Sequence, residues 1–534
     1  MKFLKLTSLF ATTAMVGILV AAGGATPVAA QGKTLIIGAV FTPESLDGDI
    51  NLPGTQNTVV QTYEGITRYG RKKNAQGEEI LDSAVIEPHL AESWTTSADG
   101  KLVTFKLRRG VKGPSGNEMN ADDWVWSWDK SFAQKRTGNF IARVSNVTTS
   151  GGGVEKVDDY TVNFHLDGPS SILLKALTLY TPSIYDSKIT KDQATAEDPF
   201  ATKWILKNTA GFGPYHMSEL KPGEQAVFTE NPNYFGKKPF FDRVVFRMVP
   251  SGASRLTLLR AGQIHIAENM TAQQLNELKK DKNVTVRVFP GRSVAAVRMN
   301  SKIKPFDDVR VRQAFNFATN KQTIIDTVFL GEGEPARSFV ADFIDGGLMG
   351  SEPYPYDPVK AKALLADAGY PNGLDVELNY SDINAWEEPM AIQLQNILKE
   401  SGINVTPKRI TGSDMRARSH IKVQDIPFFT YEDGPIVLDA VYAAYLIAHG
   451  TGGVSNRTNL SVPRINELID LARVELDPDK ARSMMDELQK IWVEEAPWIL
   501  TTFTPVGEAY SPKLKGFVSY PDNHERWSDL RLEE

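Results

Sequence analysis

The chain has 534 residues, more than one ordinary hydrophobic core holds, so two or three packed units are expected. Its hydrophobic content of 41% and charged content of 23% are typical of a globular protein. A formal net charge of −6 and the lack of a basic stripe argue against a nucleic-acid or anionic-membrane surface. The sequence contains no cysteine, which excludes disulfides, thiol catalysis, cysteine-based zinc sites and a lipid-modified cysteine.

Residues 1–30 have the pattern of a secretory signal peptide. Lys2 and Lys5 make a basic start, a short apolar stretch interrupted by two threonines follows, and the sequence VAA ends at Ala30. The apolar stretch is short for a membrane span. We therefore expect cleavage after Ala30 and a protein exported to a bacterial periplasm without a membrane anchor.

The first elements predicted after this segment are a buried strand over residues 34–41 and a short helix over residues 59–66. Thr42 and Glu44 lie in the loop between them. Apolar and polar residues alternate over residues 102–107, which predicts a half-buried strand.

A helix start is predicted at Asn120, with Asp122 and Asp123 in the first turn. Acids at this position meet the positive end of the helix. Trp124 and Trp128 then supply an apolar face at helical spacing. Paired aspartates are also the residue type of an acid/base pair or a metal site. Their place at a helix start favours the capping interpretation.

The middle of the chain is dense in turn signals. A hairpin is predicted over residues 215–220 and 225–229, around a Lys-Pro-Gly turn. A strand over residues 243–249 follows, and then a helix over residues 254–261 that a glycine ends. Residues 263–267 have the pattern of a short buried strand.

The second half of the chain alternates strand and helix patterns. Predicted strands cover residues 294–299, 375–380, 404–410, 426–431 and 498–503. Predicted helices begin at Asp307 or Asp308 and at Pro358, and cover residues 386–401, 462–474 and 478–494. This alternation predicts βαβ units and a largely parallel sheet.

Four groups of motifs stand in a fixed order along the chain. They are LAESW with LRRGVK and NADDW; GFGPYHMSELKPGE with NPNYFGKKP and RLTLLRAG; PFDDVRVRQA; and YDPVKAKALLADAGYPNG. The order resembles family 5 of the extracellular solute-binding proteins, the peptide, opine and nickel class that serves ABC importers. One departure is the loop at residues 112–116, which is shorter than in many members of the family.

The resemblance implies an α/β fold of the periplasmic binding protein type, with two main lobes hinged around a ligand cleft and an extra subdomain in the first lobe. It places lobe I at residues 31–289, with the subdomain inserted at about 68–195, and lobe II at residues 290–503. Residues 504–534 would return to lobe I, so that the hinge lies near Pro290 and near Thr504-Pro505.

Enzyme motifs are incomplete in this sequence. Ser127 and Lys130 form an SxxK pair, but the motifs that accompany it in penicillin-recognising enzymes are missing. His524-Glu525 lacks the second histidine of a zinc-protease motif, and no GxSxG occurs. Seven scattered histidines without cysteine do not predict a metal centre. We therefore expect neither catalysis, nor a cofactor, nor a bound metal.

A cleft that encloses a peptide-like ligand must replace the water around its ammonium and carboxylate groups. In peptide-binding relatives, an acid shortly after an aromatic residue in the second lobe holds the ligand amine. The resemblance points to Tyr431-Glu432-Asp433, although the spacing differs by one residue. Asp433 is the first choice, Glu432 the second and Asp439 the third, and ordinary turn carboxylates explain the pattern equally well. We expect Asp433→Ala to abolish amine binding and leave the fold intact.

Other candidate ligand contacts rest on weaker signals. Ser381 follows a strand, and loops at the carboxyl ends of strands line clefts in α/β sheets. Trp386 is a cleft wall or a core residue, and Arg409 is a partner for a ligand carboxylate or half of a surface pair. The resemblance places Thr42 and Glu44 at the rim of the cleft.

The sequence therefore predicts a periplasmic solute receptor that closes on short peptides or related amine and carboxylate solutes and delivers them to an ABC permease. We expect a monomer that binds no nucleic acid. The alternative is a secreted hydrolase or a chaperone-like peptide-holding protein. Opines and oligosaccharides are further ligand classes for this scaffold.

Overall fold

The computed structural model describes residues 33–50, 55–74, 77, 79–289, 291–520 and 524–533. The predicted signal peptide and Pro290, one of the predicted hinge positions, lie outside these residues. The described chain has the α/β architecture that the sequence predicts, with strands and helices alternating along much of its length.

The strands of the described residues are β1 (Thr34–Ala39), β2 (Thr67–Lys73), β3 (Glu79–Pro88), β4 (Ala91–Thr96), β5 (Leu102–Leu107), β6 (Val154–Asp158), β7 (Thr161–His165), β8 (Tyr215–Lys221), β9 (Gln225–Glu230), β10 (Arg243–Met248), β11 (Ile266–Ala267), β12 (Thr285–Phe289), β13 (Val294–Met299), β14 (Leu374–Tyr380), β15 (Ile403–Arg409), β16 (Phe428–Asp433), β17 (Trp498–Ile499), β18 (Val506–Tyr510), β19 (Leu514–Lys515) and β20 (Arg531–Leu532).

The helices of the described residues are α1 (Thr55–Thr62), α2 (Ala121–Gln134), α3 (Thr137–Val144), α4 (Leu173–Ala176), α5 (Ser187–Lys191), α6 (Thr202–Ile205), α7 (Gly252–Arg260), α8 (Ala272–Leu278), α9 (Val309–Phe317), α10 (Lys321–Val328), α11 (Pro358–Asp367), α12 (Glu387–Ile397), α13 (Gly412–Ser419), α14 (Ala440–Ile447), α15 (Pro463–Val474) and α16 (Pro478–Glu495). A 3-10 turn, Leu398–Ser401, extends α12.

The first large sheet has seven strands in the order β12-β18-β11-β1-β10-β9-β8. β1 is parallel to β10 and β11, while β18 is antiparallel to both β11 and β12. The predicted hairpin is present as β8 and β9. Leu35, Phe246 and Trp527 belong to the hydrophobic core on one face of this sheet. This sheet therefore joins β1, near the start of the described residues, to β18 from the C-terminal part of the chain.

The second large sheet has five strands in the order β15-β14-β16-β13-β17. β14 is parallel to β15 and β16, but β13 is antiparallel to both β16 and β17. The prediction of a largely parallel sheet is therefore wrong at β13. A crossover helix is what makes neighbouring strands parallel, and β13 enters this sheet from the first sheet without one.

A four-stranded antiparallel sheet, β4-β5-β7-β6, packs beneath α2. Trp124 and Trp128 of α2 contact the ring of Phe164 at centroid distances of 6.3 and 5.1 Å. β2 and β3 form a separate hairpin with a bulge between Tyr69 and Gly70. The predicted apolar face of α2 is thus the face that covers this sheet.

The start of α2 confirms the capping interpretation of the aspartate pair. Asn120 Oδ1 accepts a hydrogen bond from Asp122 N at 2.8 Å, and Asp123 Oδ2 accepts one from Asn120 N at 2.9 Å. The Asp122 carboxylate pairs with Lys156 at 2.9 Å. These bonds satisfy amide groups that a helix start otherwise leaves without partners.

Two predicted elements have different bounds in the structure. The helix predicted over residues 59–66 ends at Thr62, because Ile66 N and Thr67 N donate to Leu177 O instead of continuing the helix. The strand predicted over residues 498–503 is continuous only over Trp498–Ile499, but its pairing with β13 resumes further along, where Ala295 N donates to Thr502 O and Val294 forms a bridge with Phe503. The end of the helix is thus decided by a contact distant in sequence.

α2 also carries Lys130 into the interior. The Lys130 ammonium is fully buried and donates to both oxygens of Asp47, at 2.9 and 3.0 Å. Asp47 Oδ1 also accepts from the Tyr185 hydroxyl at 2.6 Å. Burial raises the pKa of neighbouring Asp49, although Lys130 opposes that rise. The SxxK pair therefore contributes its lysine to a buried ion pair.

We predict that Lys130→Ala lowers the free energy of unfolding by about 3 to 5 kcal/mol, because it leaves the Asp47 carboxylate buried without its cation. Urea unfolding followed by circular dichroism measures this change. Lys238→Ala is the matched control, since that side chain is 74% exposed, and about 0.5 kcal/mol or less is expected. Equal effects of the two substitutions would contradict the structural role of Lys130.

Candidate functional site

Two crossings of the chain connect the large sheets. The chain leaves β12 at Phe289 and enters β13 at Val294. It leaves β17 at Ile499 and returns to β18 at Val506. Each crossing is short, so the ends of these four strands lie close together.

The two crossings run side by side. Thr504 N donates to Ser293 O at 2.8 Å, and Val294 forms a bridge with Phe503. A Cβ atom added to Gly291 would lie 2.0 Å from Thr504 O, so the backbones approach more closely than any other residue permits.

The strand directions place the carboxyl ends of parallel strands next to these crossings. In the first sheet β1, β11 and β12 end at this edge, and in the second sheet β14, β15 and β16 end there, beside the start of β13. We call these the first and second cleft edges. Ligands of open α/β sheets bind beyond the carboxyl ends of the strands, so the space between these edges is the candidate site.

Asp433 lies at the second cleft edge, where the structure pairs it with two arginines. Its Oδ2 accepts from Arg298 Nη2 at 3.1 Å and from Arg457 Nε at 3.3 Å. Its Oδ1 accepts from Ser455 Oγ at 3.2 Å. The side chains of Asp433 and Arg457 are each 15% exposed, whereas that of Arg298 is fully buried.

The ring of Tyr431 lies beside both guanidinium groups. The centre of the Arg457 guanidinium is 4.3 Å from the ring centroid, and that of Arg298 is 5.2 Å away. Arg298 also lies 4.3 Å from the ring centroid of Trp498. Burial lowers the pKa of Arg298 to about 10, although Asp433 opposes that fall. Cation–π contacts and one carboxylate are thus what keep this guanidinium charged inside the sheet.

Glu432 belongs to the opposite face of β16, since successive strand residues point to opposite faces. Its Oε2 accepts from Trp386 Nε1 at 2.9 Å. Burial raises the pKa of the Glu432 carboxyl, and the bond from Trp386 opposes that rise. Trp386 is buried, with its ring 6.4 Å from that of Phe329, so it joins the core and reaches the cleft edge through one hydrogen bond.

Asp439 caps α14 and pairs with a lysine from a distant part of the chain. Its Oδ1 accepts from Tyr442 N at 2.9 Å, and its Oδ2 accepts from Lys175 Nζ at 2.7 Å. Lys175 lies on α4 and is also 3.5 Å from Asp345. Asp439 therefore joins two parts of the fold, with both carboxylate oxygens already bonded.

The remaining predicted residues have other surroundings than Asp433. Ser381 is buried, and its Oγ donates to Glu387 Oε2 at 2.9 Å. Arg409 is exposed and pairs with Asp382 at 3.0 Å. Thr42 Oγ1 accepts from Gly223 N at 3.0 Å, and Glu44 is exposed.

The first cleft edge carries acids that sequence reasoning missed. Glu268 follows Ala267, which pairs with Ala509, so Glu268 lies beside Glu508. Burial and the charge of Glu525 raise the pKa of Glu268 to about 8 and raise that of Glu508 as well. The alternation along β18 gave no signal for this cluster, since two of its members come from other parts of the chain.

A cavity of about 620 Å³ lies between the β2–β3 hairpin, the segment after β9 and the C-terminal segment. Glu64 lines it and accepts from the Tyr234 hydroxyl at 2.6 Å while facing His89 Nε2 at 2.8 Å. Ile436, from the loop after β16, also lines the cavity. Tyr69, also in the cavity wall, connects the cavity to the segment after β16, because its hydroxyl accepts from Leu438 N at 3.0 Å.

Among the residues bonded to Asp433, Arg298 is one that sequence reasoning missed. Arg298 interrupts an otherwise apolar strand in which every residue is buried, and a charged residue in such a strand signals a buried partner. Arg457 lies in a polar loop and gives no comparable signal. Among the described residues, no group of three or more His, Asp or Glu side chains is arranged to hold a metal ion.

Comparison with known structures defines the class of this fold. The chain superposes on the periplasmic binding protein DppA from Helicobacter pylori in complex with peptide STSA, with a TM-score of 0.80, 22% identity and coverage of 94% of this chain and 98% of that one. It also matches NikA from Brucella suis in complex with Fe(III)-EDTA, with a TM-score of 0.81, 22% identity and coverage of 94% and 100%. The fold is therefore that of the periplasmic binding proteins, as the sequence predicts.

The family follows from the sequence comparison. Residues 85–455 match the model of the bacterial extracellular solute-binding proteins, family 5. The dipeptide-binding protein of Escherichia coli strain K12 is 28% identical, with 94% of this chain and 95% of that protein covered. Heme-binding protein A of Haemophilus influenzae is 27% identical, with 87% and 89% covered. The chain belongs to family 5 of the bacterial extracellular solute-binding proteins.

The contacts of Asp433 change the expected result of its substitution. We predict that Asp433→Asn lowers the free energy of unfolding by about 3 to 5 kcal/mol, since Arg298 would keep a buried charge without a counter-ion. Chemical denaturation measures the change. Asp425→Asn, at a carboxylate that is 54% exposed, is the control and should cost about 0.5 kcal/mol or less. If Asp433→Asn left the free energy of unfolding unchanged, the result would contradict the pairing of Asp433 with Arg298.

The first cleft edge predicts a pH dependence. In the folded protein the pKa of Glu268 is raised from its ordinary value of 4.5 to about 8, so the carboxyl keeps its proton between these pH values. Raising the pH between these values therefore favours the unfolded state, which has already released the proton. We predict that the melting temperature of the wild type falls relative to Glu268→Gln as the pH rises from about 5 to 8. Parallel pH profiles of the two proteins would contradict this assignment.

Proposed function

We propose that this protein is the exported receptor of an ABC importer, which closes its two lobes on a small solute and delivers it to the permease. The residues on either side of the crossings form lobe I and lobe II, and β18 returns the chain to lobe I. The observation that carries the proposal is the pair of adjacent crossings between two sheets whose carboxyl edges both lie next to them. Membership in family 5 supports the same function.

Contacts made across the chain support a closed conformation. Lys175 Nζ on α4 bonds Asp439 at the start of α14, and Arg473 Nη2 on α15 bonds Asn146 Oδ1 at 2.6 Å. Lys279, after α8, pairs with Glu332, after α10. Such pairs can form in one arrangement of the lobes and be absent in another, so they bias the equilibrium between open and closed forms.

Short peptides and related amine or carboxylate solutes are the proposed ligand class. The relatives include a dipeptide-binding protein of Escherichia coli and glutathione-binding proteins, which supports this class. The cleft would hold the ligand by hydrogen bonds and ion pairs, without bond cleavage, and the protein would act as a monomer in the periplasm. No helix among the described residues is long and apolar enough to cross a bilayer.

The test combines native mass spectrometry with X-ray scattering. Protein purified without unfolding should carry a small compound, and removing that compound should increase the radius of gyration, because the lobes open. Adding it back should restore the smaller radius and raise the melting temperature. The compound should be recovered chemically unchanged.

Two outcomes would contradict this function. Conversion of the added compound would indicate the secreted hydrolase. A radius of gyration that is the same with and without every compound tested would contradict a receptor that closes on its ligand.

A further inference from the structure

The second cleft edge holds one carboxylate between two guanidinium groups. Asp433 Oδ2 accepts from both Arg298 Nη2 and Arg457 Nε, while Oδ1 accepts from Ser455 Oγ. Both carboxylate oxygens are therefore bonded within the protein. The three charged side chains together carry one net positive charge.

An ammonium group at this position would meet unfavourable electrostatics. It would be attracted by Asp433 but repelled by Arg298 and Arg457, which both lie within hydrogen-bonding distance of the same carboxylate oxygen. An oxyanion would meet the reverse, with two attractions and one repulsion. Glu432, the acid next to Asp433 in the chain, lies on the opposite face of β16 and bonds to Trp386.

Arg457 is the guanidinium that a ligand can reach. Arg298 is fully buried, and its Nη1 and Nη2 bond Ser455 O and Asp433. Arg457 is 15% exposed, and its Nη1 contacts Ser419 only at 3.4 Å. A planar guanidinium fork binds two oxygens of a carboxylate or a phosphoryl group at once.

The wall of the cavity of about 620 Å³ is net positive, like the Asp433, Arg298 and Arg457 cluster. Ile436, three residues after Asp433, joins its wall. Basic residues of the wall outnumber its carboxylates, in a protein whose formal net charge is −6. The basic residues are Arg68, Arg71, Arg108, Lys237, Arg526 and Arg531, and the carboxylates are Glu64, Glu79 and Asp529.

We infer that the ligand presents an oxyanion to Arg457 at the second cleft edge, and that Asp433 is the counter-ion of Arg298 instead of the acceptor of a ligand amine. This inference rests on the solute-binding function proposed above and names the chemical group that one side of the cleft selects. The Arg457 guanidinium lies over the ring of Tyr431, and this cation–π contact helps to hold it in place.

The experiment compares acidic compounds with neutral counterparts on protein freed of bound compounds. N-acetyl-alanyl-alanine is compared with its C-terminal amide, and glucose 6-phosphate with glucose; alanyl-alanine amide supplies an ammonium without an acid. We expect the acid of at least one pair to raise the melting temperature more than its counterpart. The first pair tests a carboxylate ligand and the second a phosphoryl ligand.

Arg457→Gln should weaken binding of that acid by about 30-fold, because one charge-assisted interaction is lost. Arg418→Gln, at an exposed arginine paired with Asp425, is the control and should bind as the wild type does. If Arg457→Gln does not fold, Arg457→Lys replaces it. Lysine keeps the charge but loses the fork, and about tenfold weaker binding is then expected.

The inference is overturned if alanyl-alanine amide stabilises the protein as well as the acids do, if neither acid exceeds its neutral counterpart, or if the Arg457 variants bind as the wild type does. A co-purified compound that closes the protein but has no acidic group would overturn it and leave the proposed function standing. Absence of closure with every compound would instead overturn the proposed function.

Discussion

Two short crossings that run side by side join the carboxyl edges of the large sheets. The bond from Thr504 N to Ser293 O and the close approach at Gly291 keep them together. On the function proposed above, the sheets would separate by bending about this line. The position of the proposed cleft and its proposed closure both depend on this constraint.

The buried guanidinium of Arg298 determines the character of the second cleft edge. A charge inside a sheet needs a partner, and Asp433 is that partner at 3.1 Å. The carboxylate most prominent in the sequence is therefore engaged within the protein, and the group left to meet a ligand is a second arginine. The first cleft edge instead gathers acids: Glu268, Glu508 and Glu525 lie close together, and burial and the charge of Glu525 raise the pKa of the other two.

Sequence patterns identified the elements whose ends are set by neighbouring residues. The cap at Asn120 and the hairpin of β8 and β9 were predicted well, because a cap and a tight turn are local bonds. The end of α1 was predicted wrongly, because Leu177 O decides it from more than a hundred residues away. The direction of β13 was missed for a similar reason: it depends on the chain entering the second sheet directly from the first, which no local pattern shows.

By itself the sequence determined the α/β class, most of the element positions and, through its ordered motifs, the solute-binding family. It did so because periodicity, caps and turns are properties of short segments. The tertiary structure alone decided what the candidate residues contact. Ser381, Trp386, Asp433 and Asp439 each bond to a side chain that no spacing predicts. Charge pairing acts through space, so the chemistry of the cleft could be read only after the chain was folded.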